Sequence, residues 1–100
     1  MIKQGIRIEL SKLWRKNVDE IRSIMHFTQN DISEKFGVTR QSISTWLTRP
    51  DFHLTAVQFL GSLHGIREMI NESEADERNK KLAYEYLEEI ESEYEKNGLH

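Results

Sequence analysis

One segment constrains this chain more than any other: TQNDISEKFGVTRQSISTWL, Thr28 to Leu47. It reads as two short helical patterns separated only by Gly37-Val38-Thr39. Thr28 is placed to cap the first helix, and Asp31 can reach back to the cap backbone. That helix is expected to run to about Phe36. Gly37 stands just past it, where a glycine takes the left-handed conformation that other residues resist. Thr39 then caps a second helix over Arg40 to Leu47, and Pro50 prevents its regular extension.

So short a turn forces the two helices to cross steeply, near a right angle. Such a pair must bury a shared core. Ile32, Phe36, Val38, Ile43, Trp46 and Leu47 fall at the required spacing, and Ser33 is small enough to let the second helix approach. Trp46 is expected in that core rather than on the surface as a base-stacking platform. The other face of the second helix carries Arg40, Gln41, Ser42, Ser44, Thr45 and Thr48. All of them hydrogen-bond, one is cationic and none is acidic.

The missing acid matters, because a carboxylate on that face would repel phosphate. Without one, the first turn of the helix suits the major groove of duplex DNA, where each base pair presents its own donor and acceptor pattern. Arg40 is matched to guanine and Gln41 to adenine, while the hydroxyls can meet bases or phosphates. Gln29, in the first turn of the preceding helix, is placed to hold a phosphate together with that helix's N-terminus.

The rest of the chain also reads as helical, giving an all-α fold class and a compact helical bundle. Ile6, Leu10, Leu13, Trp14, Val18, Ile21, Ile24 and Met25 step by threes and fours. This is either one helix from about Gly5 to His26 or a short arm followed by a helix from near Asn17. Mostly helix is favoured, with Lys16 to Val18 as the place where a break could fall. Trp14 is expected to pack within its own subunit rather than anchor an interface. Lys3, Arg7, Lys12, Arg15 and Lys16 form either a phosphate-binding flank or a merely solvated face.

From Thr55 a further stripe appears: Ala56, Phe59, Leu60, Leu63, Ile66, Met69 and Ile70. Gly61 and Gly65 weaken it, so that helix ends at His64 or continues to Asn71. Ser73 with Asp76 predicts another capped start, and a last helix over about Glu74 to Asn97, ending before Gly98. Ala83, Leu87, Ile90 and Tyr94 make its narrow apolar stripe, and carboxylates dominate the remainder. A helix this polar is not held by propensity alone, so the stripe needs cover from its own core, a second subunit or another protein. Three parts follow: an N-terminal helix or arm (1–17), a helical domain (18–71) and an acidic C-terminal helix (72–100).

Charge is distributed to match. The net charge is −3, yet residues 1–50 hold nine Lys/Arg against five Asp/Glu, and residues 51–100 hold five against twelve. The first half suits a polyanion and the second is repelled by one. With no cysteine in the chain, disulfides, thiol nucleophiles and thiolate metal sites are excluded. His26, His53, His64 and His100 have no spacing with acids that would build a metal site, and nothing resembles a nucleophile elbow or a phosphate-cradling loop. No enzyme activity and no cofactor are therefore expected. No apolar run is long enough to span a membrane, and MIKQGIRIEL lacks the apolar core of a secretory signal. The expected setting is cytoplasmic.

Val18 to Met25 followed by TQNDISEKFGVTRQSISTW resembles the Cro/C1-type (XRE-like) helix-turn-helix family of bacterial and phage regulators. Arg22, Thr28-Gln29, Ile32-Ser33, Gly37-Val38-Thr39, Ile43-Ser44 and Trp46 carry the resemblance, and LTAVQFLGSLHGI resembles the core helix that follows. The likeness covers residues 18–66. It implies a lambda-repressor-like bundle working as a homodimer on an operator with two half-sites. Carried across residue by residue, it makes Gln29, Arg40, Gln41, Ser42 and Thr45 operator-facing, with Thr39 and Ser44 on the DNA backbone. Leu47 stands where the family often has Glu, and Arg49-Pro50 where it often has a Gly- or Asn-containing turn, so a reshaped loop is expected there. The expectation is a sequence-specific regulator of double-stranded DNA, a repressor of this type. The alternative is an antitoxin or antirepressor that meets a protein partner through the acidic C-terminal helix.

Overall fold

A computed structural model describes residues 4–97, with side chains from Ile8 onward. Lys3, Gly98, His100 and the side chains of Ile6 and Arg7 lie outside the described residues. The described chain is all helical: α1 (Gln4–Met25), α2 (Gln29–Phe36), α3 (Arg40–Thr48), α4 (Ala56–Glu72) and α5 (Glu77–Lys96).

Most helix boundaries arise from contacts between residues close in sequence. At the end of α1, His26 takes a positive φ of 59° and the Phe27 N–H donates to the Arg22 carbonyl at 3.0 Å. Thr28 and Asp31 form the reciprocal cap of α2: the Asp31 N–H donates to Thr28 Oγ1 and the Thr28 N–H to Asp31 Oδ2. Gly37, at φ 70°, closes that helix. Its N–H bonds the Glu34 carbonyl and the Val38 N–H bonds that of Ser33, which occupies two carbonyls the helix end leaves free. Thr39 caps α3 by accepting from the Ser42 N–H at 3.1 Å. Thr55 and Gln58 repeat the reciprocal cap at α4.

One expectation is corrected and two open alternatives are decided. The break near Lys16 to Val18 is absent, and α1 runs through it. Asn17 does not compete for its own backbone there. It is buried and donates from Nδ2 to the Tyr86 carbonyl of α5 at 3.0 Å. The start of the last helix also moves. Ser73 closes α4, and Asp76 caps α5 by accepting from the Asn79 N–H at 2.9 Å. Finally, α4 continues through both glycines to Glu72, the longer of the two readings. A Cβ on Gly65 would lie 2.7 Å from Cε1 of Phe36, so this glycine is where α2 and α4 meet. The steric need outweighs the roughly 1 kcal/mol that a helical glycine costs.

One core joins all five helices. Trp14, Val18 and Ile21 enter it from α1, Ile32 from α2, and Ile43 and Trp46 from α3. Phe59, Leu63, Ile66 and Ile70 come from α4, and Ala83, Leu87, Ile90 and Tyr94 from α5. Trp14 thus packs within its own subunit, donating from Nε1 to Ser62 Oγ at 2.8 Å. The apolar stripe of α5 finds its cover here as well, chiefly on α1 and then on α4. Burial of residues such as Leu87 and Ile90 contributes about 1.5–3 kcal/mol each, so the acidic helix is an integral part of the bundle. Among the described residues, no helix is long and apolar enough to cross a membrane.

Candidate nucleic-acid interface

The polar face of α3 points away from this core. Ile43 and Trp46 anchor the helix from its inner side, and Trp46 sits amid Trp14, Phe36 and Phe52, each ring 6.3 Å away. Trp46 therefore belongs to the core. The three rings pack around it and hold it in place. Fixing Trp46 turns the opposite side of α3 toward solvent. Thr39, Arg40, Gln41 and Thr48 are exposed, while Ser42, Ser44 and Thr45 are half-buried.

These groups differ in how free they are. Thr39 and Ser42 are tied together, their hydroxyl oxygens 3.0 Å apart at the cap. Thr48 donates its hydroxyl to the Ser44 carbonyl at 2.6 Å, leaving the oxygen's lone pairs and the methyl group for outside contacts. The Arg40 guanidinium makes no ion pair among the described residues. Arg40 and Gln41 thus present exposed, uncommitted donors at the start of the helix.

The end of α3 is held by a residue whose role was not legible in the sequence. Arg15, on α1, donates from Nε to the Trp46 carbonyl at 3.2 Å and from Nη2 to the Phe52 carbonyl at 2.6 Å. The first of these carbonyls lies in the last turn, which lacks intrahelical donors, and a cation there also complements the helix dipole. Arg15 thus commits two donors to α3 and the following loop while still lining the basic flank of α1. Beyond α3, Arg49 pairs with Asp51 at 3.5 Å and Phe52 stacks on Trp46, which shapes the loop around Pro50.

A groove of about 450 Å³ runs beside this helix, between α1, the start of α2 and the end of α3. Gln29, half-buried at the first position of α2, lines it together with Thr48, Lys12, Lys16 and Arg22. The fold thus gathers Gln29 and Thr48 around one basic channel, with the exposed α3 face adjoining it. Asp19 is the acid on its wall, paired with Arg22 at 3.2 Å.

The acidic helix attaches elsewhere, on α1 and α4, with Glu85, Glu88, Glu89 and Glu95 exposed. Among the described residues, no group of three or more His, Cys, Asp or Glu side chains is arranged to hold a metal ion. The chain matches no protein-family model, no curated protein and no solved structure.

Proposed function

We propose that this chain is a sequence-specific, double-stranded DNA-binding transcriptional regulator, acting in the cytoplasm as a repressor of Cro/C1 type. The observation that carries this reading is the α3 surface: an exposed helical face with donors and acceptors, one free guanidinium and no acid, held rigidly from behind by Trp46 and Arg15. Arg40 and Gln41 enter the major groove and read base edges, and Ser44, Thr45 and Thr48 add contacts to bases or the backbone. Gln29, with Thr39 and Ser42 at the neighbouring helix start, sets the register on phosphate. Two subunits acting together double the contacts and set half-sites about one helical turn apart. Most of the affinity comes from phosphates and falls steeply as salt rises. The chemistry of recognition requires no cofactor.

The test is selection from a random duplex pool at fixed ionic strength. Enrichment of one motif, repeated with dyad symmetry, supports the reading, and failure of any motif to emerge sinks it. A second reading draws on the exposed carboxylates of α5: an antitoxin or antirepressor that docks a basic protein. Capture of a stable basic partner, with no motif selected, favours that alternative.

A further inference from the structure

The basic groove has a length and a direction that the α3 contacts alone do not account for. Lys12, Lys16 and Arg22 lie along one side of α1, since at about 100° per residue they fall within a third of the helix circumference. They span ten residue steps, or about 15 Å at the α-helical rise. Successive phosphates of one strand lie about 7 Å apart through space, because the strand winds as it rises, so this row matches about two or three of them.

The row is also available. Lys16 is exposed and makes no ion pair among the described residues. Lys12 has only a long contact to Glu9, at 3.8 Å between two solvent-exposed side chains. Arg22 bonds Asp19 through Nη2, yet its Nε is buried and has no hydrogen-bond partner. Arg22, half-buried, lines the wall that also carries Gln29, at the start of α2, and Thr48, at the end of α3.

Resting on the DNA-binding reading, we propose that Lys12 to Arg22 of α1 form a phosphodiester track. It holds the strand that borders the groove entered by α3, and it extends the contact surface well upstream of the helix–turn–helix pair. The ligand is the sugar-phosphate backbone of duplex DNA, met without regard to base. Lys12, Lys16 and Arg22 supply positive charge along the groove.

Fluorescence anisotropy on the selected duplex and on a shuffled duplex, from 50 to 200 mM salt, tests the track. The variants are Lys12→Gln/Lys16→Gln and the charge-retaining Lys12→Arg/Lys16→Arg. Both lysines are exposed, so the helical circular dichroism should be unchanged. The expected result for the glutamine pair is equal weakening on both duplexes, about tenfold or more, with the log–log salt slope reduced by about 1.8. The arginine pair should restore both values. If wild type binds with a steep slope that the glutamine pair leaves unaltered, the track is refuted while DNA binding stands. Tighter binding of an RNA duplex of the same length would also refute it. If wild type binds neither DNA duplex, the underlying reading fails as well.

Discussion

Arg15 and Asn17 lie two residues apart on α1 and face nearly opposite ways, one bonded to the Trp46 carbonyl of α3 and the other to the Tyr86 carbonyl of α5. Two steps of about 100° turn the helix by about 200°. The helix α3 and the acidic helix are therefore held on different sides of one rod. This arrangement resolves the charge asymmetry of the chain, because the carboxylates of α5 are carried away from the surface proposed to meet phosphate.

Replacing Arg15 by Met keeps an apolar stem while removing both hydrogen bonds. The half-buried guanidinium makes charge-assisted bonds to two carbonyls, so the expected loss is about 1–2 kcal/mol. Hydrogen exchange should show the excess opening concentrated in α3 and the loop through Phe52. A uniform increase across all five helices would contradict a local role.

The two glycines of α4 should respond with opposite signs. At Gly61 an added Cβ meets nothing within 4 Å, so Gly61→Ala should stabilise by about 0.5–1 kcal/mol through helix propensity. At Gly65 the methyl collides with the Phe36 ring, and Gly65→Ala should destabilise by about 1–3 kcal/mol. Urea midpoints of the two variants decide the matter, and a stabilising Gly65→Ala would disprove the close approach of α2 and α4.

His26 holds a left-handed conformation at the end of α1 that costs a non-glycine residue about 1–2 kcal/mol. Glycine removes that strain but has more freedom to lose on folding. His26→Gly should therefore stabilise by a net amount of about 0.5–1 kcal/mol, measured by thermal or urea unfolding. A loss of stability would show that the imidazole makes contacts that outweigh the backbone strain.

Burial pushes the Tyr94 hydroxyl above its ordinary value of 10.0. The unfolded chain then ionises more readily than the folded one. This contribution to stability is fully present below pH about 10 and is lost as pH rises through the folded-state pKa. Urea midpoints between pH 8 and 11 should fall less steeply for Tyr94→Phe than for wild type. Identical slopes would show that this tyrosine does not contribute to alkaline unfolding.

On the DNA side, Arg40→Ala should cost about 1–3 kcal/mol on the selected site and relax preference at one base pair. Binding assays on single-base variants of that site provide the measurement. An equal loss on shuffled DNA would demote Arg40 to a phosphate contact.

The helix–turn–helix unit was legible because its determinants are near neighbours. Thr28 reaches Asp31, Gly37 relieves one backbone angle and Thr39 reaches Ser42, all within one turn. Apolar periodicity likewise identified the buried stripe of α5, since it follows from helix geometry alone. The same kind of local reasoning misplaced the start of α5. Ser73 and Asp76 are both competent caps, and the choice between them depended on where α4 ended.

By itself, the order of residues determined an all-helical chain, the hinge at Gly37 and a polar α3 face free of acid. Only the tertiary structure decided that α1 passes unbroken through Asn17, that Arg15 braces α3, and that Gly65 makes room for Phe36. It also gathered Lys12, Lys16, Arg22 and Gln29 along one groove. The physical reason is range. A cap or a stripe is set by atoms within a few residues, whereas Arg15 meets Trp46 across 31 positions and Asn17 meets Tyr86 across 69. No periodicity encodes such meetings; they exist only once packing has fixed which way each side chain points.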